Sequence, residues 1–398
     1  MESRSESQGD RFKLRRLARI PHRVAFELKC FYQTLKERVV WLLSDDAAMQ
    51  RNNCDEELRS LGDFTSLHRD IGYHLTASID IGENGSFDYV GAQVAGDSVY
   101  FIPNGANSIA RVKEDGTTSK LCFSKKEDRG PFRWTGGALW RNSLVCFPRS
   151  SNNLLLLDLQ TLEPSLIPLG LDYDREHHYG GVLVGDTIYQ PPRGEDCILC
   201  TDLNKMTTTR IPLSVKSVSW KANYCGSCLH PNGLIYFLPQ NGRVIELDPP
   251  SGRWRFIGPP LDARTYGAAL APDGCLYGFS GYANGIIRVD PEQSKAEMLR
   301  CDIGCPGAYG TRLGVNGKLY SVPGDGDSVL EFDPLTLSVR EVCRLGESGQ
   351  KAKCAGSATM RDGSFAFAPA LGNEAYFLSP DMSVSVPVDL LDLFSDSY

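Results

Sequence analysis

Apolar residues between Gly91 and Gly356 fall into runs of strand length, separated by glycine-bearing turns, and the runs recur as one repeated unit. Each unit reads as an aromatic or small residue, a glycine, a short apolar strand, and a turn of the Asp-Gly or Asn-Gly kind. A second strand with tyrosine, a proline, a loop and a third strand ending in aspartate complete it. Residues 264–291 are the clearest copy. Tyr266-Gly267 opens its first strand, and Pro272-Asp273-Gly274 makes a tight turn because glycine supplies the positive φ that hairpins need. Leu276 and Tyr277 lie on the second strand, and Ile287 and Val289 alternate along the third, the pattern of a half-buried strand.

The marker glycines are Gly91, Gly136, Gly180, Gly226, Gly267, Gly310 and Gly356, at spacings of 45, 44, 46, 41, 43 and 46 residues. A period of about 40–50 residues with several short strands per unit predicts a β-propeller, one blade per unit. Second strands end at Pro103, Pro148, Pro192, Pro239, Ser280, Pro323 and Pro369; Asp158, Asp202, Asp248, Asp290 and Asp333 follow nine or ten residues later. Those aspartates are expected to cap the next turn by accepting from backbone N–H groups. Outer strands are expected at 119–123, 165–169, 208–213, 254–257, 296–300, 339–344 and 383–388, giving seven four-stranded units whose closure hides the inner sheet edges. Residues 73–81 also read as a strand, a candidate latch against the last blade. The expected fold is all-β, a seven-bladed propeller at 72–398 with an N-terminal helical arm at 1–71.

The fifth copy, with Arg264, Tyr266-Gly267, Asp273-Gly274 and Asp290-Pro291, resembles a kelch repeat, and so does the fourth, with Asp248-Pro249 and Trp254 six residues after the aspartate. The resemblance spans roughly residues 85–390, although proline stands in most copies where kelch repeats carry a double glycine. Kelch-like propellers mostly serve as protein-interaction platforms, so the resemblance implies a scaffold. It supplies no metal or radical-cofactor site of the kind that enzymes on related propellers add.

Charge and cysteine content narrow the function. A formal net charge of −7 argues against nucleic acid as a main partner. No apolar run reaches transmembrane length and no secretory leader is visible, which sets the expectation of an intracellular, cytoplasmic protein. The 13 cysteines then read as reduced, buried thiols. Cys197/Cys200 and Cys225/Cys228 imitate a zinc spacing, but each pair falls on one strand, where residues i and i+3 face opposite ways. In the 170–179 loop, Asp172, Asp174, Glu176, His177 and His178 lack matching ligands elsewhere, so a solvated loop is expected. No nucleophile motif accompanies the six histidines. The reading contains no catalytic residue, no metal and no cofactor.

Residues 1–43 carry ten Lys/Arg against five Asp/Glu, a local excess of +5 on an acidic chain. Val24, Leu28, Phe31, Leu35, Val39 and Leu42 recur at helical spacing and form one apolar stripe. Three roles fit it: packing on the propeller's side, docking on a partner subunit, or organelle targeting at a membrane surface. A second helix is expected from Ser44 to near Gly62.

In a propeller, the second-to-third-strand loops and the inter-blade loops open on one face. Here that face carries Asn104, Arg149, Arg193, Gln240, Tyr282 and Asp325, beside first-strand aromatics Tyr89, Trp134, Tyr179, Tyr224, Tyr266 and Tyr309. Tyr, Trp and Arg are the residues interfaces favour. The expected partner contacts are Trp134, Arg149, Tyr179, Arg193, Tyr224, Gln240, Tyr266 and Tyr309, with blade-to-blade packing as their competing role. The leading expectation is a non-enzymatic scaffold binding another protein. The alternative is an enzyme or small-molecule binder using the central channel, lactonase-like or cyclase-like.

Overall fold

The structure is a computed structural model that describes residues 45–82, 85, 87–123, 132–172, 177–213, 222–281, 285–301, 307–346 and 354–394. Seven four-stranded antiparallel sheets follow one another along the chain. Blade 1, for example, runs Tyr89–Ala95, Ser98–Pro103, Ser108–Lys113 and Thr118–Cys122 from inside to outside. Second strands are almost wholly buried except in blade 3, where Thr187–Gln190 is buried at alternate residues, while outer strands alternate or lie open. The turn-capping aspartates do what their position predicts: Asp158 accepts from the N–H groups of Gln160 and Thr161, and Asp202 from those of Asn204 and Lys205. Asp290 and Asp333 cap the turns of blades 5 and 6 likewise.

The marker glycines owe their regularity to the ring centre. In blades 1, 2, 6 and 7 the pairing of first and second strands slips around Gly91, Gly136, Gly310 and Gly356, and all four have positive φ. A bulge needs that conformation and glycine adopts it without strain. Space is equally tight: a Cβ on Gly356 would stand 2.7 Å from the Cα of Gly91, and one on Gly91 would stand 2.8 Å from the Cα of Gly136.

Blade 7 differs from expectation. Its outer strand is Tyr73–Asp80, which pairs antiparallel with Glu374–Pro380, so the ring is latched by the N-terminal strand. The expected strand at 383–388 does not form. Its alternation is real, with Val384 and Val386 buried and Ser383 and Ser385 exposed. The edge it would occupy is already taken, and Pro387 cannot donate to a ladder.

The helix Asp45–Leu67 continues past Gly62, where the sequence suggested it would stop. Leu61 is fully buried, and Leu58 and Phe64 pack against the core shared by blades 4–7. That burial outweighs the roughly 1 kcal/mol cost of an internal glycine. Arg69, just beyond the helix, pairs with Asp333. The chain divides into two compact units, 1–56 and 57–398. Ser44, the expected start of this helix, and the apolar stripe Val24–Leu42 lie outside the described residues. Among the described residues no helix is long and apolar enough to cross a membrane.

Candidate functional site

The face carrying the second-to-third-strand loops is tied together by a belt of backbone hydrogen bonds. Asn104 N–H donates to the Asp88 carbonyl, Arg133 to Asn104, Arg149 to Arg133, His177 to Arg149 and Arg193 to His177, at 2.8–3.1 Å. Further links join Tyr224 to Pro192, Arg264 to Gln240 and Gly281 to Arg264. Each link joins the exit of one blade's second strand to the entry of a first strand, which is why those repeat positions keep a fixed offset. The short strand Arg193–Glu195 leaves blade 3 and pairs with the first strand of blade 4 at Asn223 and Ala222.

The six first-strand aromatics divide into two sets. Tyr89, Trp134 and Tyr224 are packed in separate core clusters among the blade strands. The Trp134 indole N–H donates to the Asn153 carbonyl and the Tyr224 hydroxyl to that of Arg243. Tyr179, Tyr266 and Tyr309 meet one another instead, with edge-to-face contacts at 5.9 and 4.6 Å, in a cluster that includes Val90, Cys225 and Ala355. The division follows the marker glycine. Aromatics two residues before it pack between strands, and those one residue before it join the shared cluster, because successive strand residues point to opposite faces. That offset is visible in the sequence.

Two arginines flank Tyr179. The Arg149 guanidinium carbon lies 4.8 Å from the Tyr179 centroid and 4.7 Å from that of Phe132; Arg193 lies 4.8 Å from Tyr179 and donates to the Cys225 thiol at 3.3 Å. Arg149 is largely buried, whereas Arg193 and Tyr266 are half-buried. Gln240 is also half-buried, Asn104 is fully buried and donates to the Trp134 carbonyl, and Tyr282 lies outside the described residues. Phe87, Phe132 and Arg264 have positive φ two residues before Tyr89, Trp134 and Tyr266, and Gly307 has the same before Tyr309. Left-handed backbone at non-glycine residues costs about 1–3 kcal/mol where it is imposed. Here it falls repeatedly on this face, where it sets Phe132 against Arg149.

Beside Arg193, His177 Nδ1 bonds the Glu195 carboxylate. His178 is buried, its Nδ1 on the Pro191 carbonyl, and burial pushes its pKa down to about 3, so it is neutral at physiological pH. Of the proposed loop acids, Asp174 and Glu176 lie outside the described residues. Among the described residues one group of metal-type donors converges: Glu195, Asp196 and Cys197, with ligand atoms within 4.8 Å of one another. Cys200, Cys225 and Cys228 do not join it; Cys200, Cys225 and Cys228 belong to three different core clusters. Burial raises the Cys197 thiol to about 11 and the Cys200 thiol to about 12, with Arg210 opposing the shift at Cys197. A thiol ligand must be deprotonated to bind metal, which these environments oppose.

These environments predict thiol reactivity. Iodoacetamide at pH 8 is expected to label exposed Cys122 at least about tenfold faster than Cys146, Cys197, Cys200 or Cys275, since the thiolate is the nucleophile. Mass-spectrometric mapping of the native protein reads this directly. Equal labelling of Cys197 and Cys122 would contradict the buried-thiol account.

No protein-family model matches the sequence, and no curated protein matches it. Solved structures do. A streptogramin B lyase superposes with a TM-score of 0.65 at 14% identity, covering 78% of this chain and 98% of its own. Virginiamycin B lyase from Staphylococcus aureus gives 0.64 at 12% identity, covering 77% and 99%. A catalytically inactive form of the same enzyme with quinupristin gives 0.64 at 13%, covering 77% and 99%. Identity this low establishes a shared fold. None of these three is a kelch protein, so the kelch likeness rests on the repeat residues alone.

Proposed function

We propose that this propeller is a non-catalytic interaction module whose Tyr266–Arg193 face binds another protein. The observation that carries the reading is the stacked Arg149–Tyr179–Arg193 group beside the Tyr266–Tyr309 contact. Rigid aromatics and arginine give large contact area at low entropic cost, the character of interface hot spots. The backbone belt fixes them in advance of binding, which lowers the cost of association. Tyr266, Arg193 and Gln240, all half-buried, are the reachable members. Trp134 and Tyr224 are buried in core clusters of their blades and are not reachable by a partner. The apolar stripe of the arm, Val24 to Leu42, is proposed as a second contact on the partner.

The test uses the full-length protein and native mass measurement of its complexes from source cells. Wild type is expected in a stoichiometric heteromeric complex. Tyr266→Ala is expected to weaken it about tenfold or more with little change in melting temperature. Leu35→Asp places a charge in the apolar stripe and is expected to weaken it too. A complex indifferent to Tyr266→Ala would remove the face from the interface.

The fold of the lyases and the His177–Glu195 pair favour a second reading, an enzyme with His177 as general base. Its discriminating result is turnover of quinupristin that disappears in His177→Ala. The binding reading expects no turnover by either protein.

A further inference from the structure

We infer that the end of blades 6 and 7 away from the Tyr266 face is a second docking surface, which takes the apolar stripe of a basic amphipathic helix from another protein. The inference makes no use of the Tyr266 face. Four large apolar side chains stand in solvent here: Leu67 at 83% exposure, Leu335 at 72%, Met382 at 62% and Leu337 at 57%. None of them belongs to a core cluster among the described residues. Leu335 and Leu337 form the turn between Ser328–Asp333 and Ser338–Arg344, Leu67 ends the helix, and Met382 follows Glu374–Pro380. Arg69 pairs with Asp333, which ties the helix end to that turn. The Asp381 N–H donates to the Gly72 carbonyl at 2.9 Å, and Tyr73–Asp80 lies against Ser338–Arg344, which brings Met382 to the same end. Single exposed leucines are ordinary, whereas several gathered within a polar rim mark an interaction site.

Backbone strain strengthens the case. Leu162, Met206 and Leu337 occupy the same place in the third-to-fourth-strand turns of blades 2, 3 and 6, and all three have positive φ. Leu162 and Met206 pack their side chains against core clusters, but Leu337 holds the strained conformation with its side chain outside. The turn backbone is already satisfied, since Leu335 N–H donates to the Asp333 carboxylate and Leu337 N–H to the Asp333 carbonyl. It offers side chains and no open ladder, so the occupant is a helix stripe with anchors at steps of three and four and not an added strand. Charge sets the flanks of that helix. Asp63, Asp70 and Asp381 are exposed around the leucines, while the nearby Arg69 and Arg340 are held by Asp333 and Glu331. An acidic rim complements lysine and arginine beside the stripe and repels both anionic lipid and a second copy of the same face.

Fluorescence anisotropy on the full-length protein tests the inference with a labelled leucine-lysine peptide of about 18 residues, its leucines at helical spacing. A scrambled peptide of the same composition keeps the charge and loses the stripe. The patterned peptide is expected to bind and the scrambled one not. Leu337→Gly is expected to weaken binding about fivefold or more, and folding is expected to survive it because glycine takes a left-handed φ without strain. Leu335→Ser is the second variant, with the same expected loss and an unchanged turn backbone. Leu139→Ser, at an exposed leucine of blade 2, is expected to leave binding as in wild type. No binding, equal binding of the scrambled peptide, or wild-type affinity in both Leu337→Gly and Leu335→Ser would overturn the docking surface. A dimer in sedimentation that Leu337→Gly dissolves would put a second copy on the leucines, and capture by phosphatidylcholine vesicles that Leu337→Gly abolishes would put lipid there. Either result would overturn the helix as occupant.

Discussion

Replacing Gly91 by alanine is expected to cost the propeller about 4 kcal/mol, a large share of the roughly 5–15 kcal/mol by which domains are stable. Two effects combine. The φ of +99° is one that side chains rarely adopt, and the new methyl would stand 2.8 Å from the Gly136 Cα and 3.0 Å from its nitrogen. Both neighbours are backbone at the ring centre, so relief requires two blades to move apart. Gly96→Ala is the internal control. Gly96 has φ +62°, with nothing within 4 Å of an added Cβ, so only the left-handed conformation is penalised, at about 1 kcal/mol. Urea unfolding of the two variants against wild type decides it. Losses of equal size would mean that the inner strands have slack and that the glycine repeat reflects turn conformation alone.

Tyr73→Ala is expected to lose a similar amount, about 4 kcal/mol, and to open the latch of blade 7. The buried Tyr73 ring stacks on Phe365 at 4.8 Å and 6° and tilts against Tyr320 at 4.7 Å. Its hydroxyl donates to the Gly363 carbonyl at 2.9 Å and accepts from Val315 N–H at 3.0 Å, joining blades 6 and 7. Burial lifts the phenol well above its ordinary pKa, so it remains a neutral donor across the usable pH range. Tyr73→Phe keeps the ring and strands the two backbone groups, for about 1–3 kcal/mol. Hydrogen exchange separates a local from a global effect: Tyr73→Ala should strip protection from Tyr73–Asp80 and from the paired Glu374–Pro380 before the other blades. Unchanged protection there would show that the N-terminal strand is held by its ladder without the tyrosine pin.

The fold was largely legible because a propeller repeats local rules. Turn glycines, second-strand apolar runs and the capping aspartates Asp158, Asp202, Asp290 and Asp333 each depend on contacts within one blade, and seven copies reinforce one another. The last outer strand was not legible for the opposite reason. Residues 383–388 and 73–80 both alternate correctly, and choosing between them requires knowing which reaches the open edge of Glu374–Pro380. The helix end was missed because Gly62 signals a stop locally, whereas Leu61 and Phe64 gain burial only against blades distant in sequence.

At the candidate site, sequence determined the inventory: the aromatics, Arg149 and Arg193 on one face, and the offset from the marker glycine that sorts Tyr179, Tyr266 and Tyr309 from Tyr89, Trp134 and Tyr224. That offset is a one-residue phase in a period-two strand, so it is encoded in the chain itself. Tertiary structure alone decided that two arginines share the ring of Tyr179, that Phe132 backs one of them, and that Glu195 meets His177. Those contacts depend on the crossing of Arg193–Glu195 onto the next blade and on left-handed backbone at Phe132. Neither follows from local propensity, because each is imposed by closure of the ring.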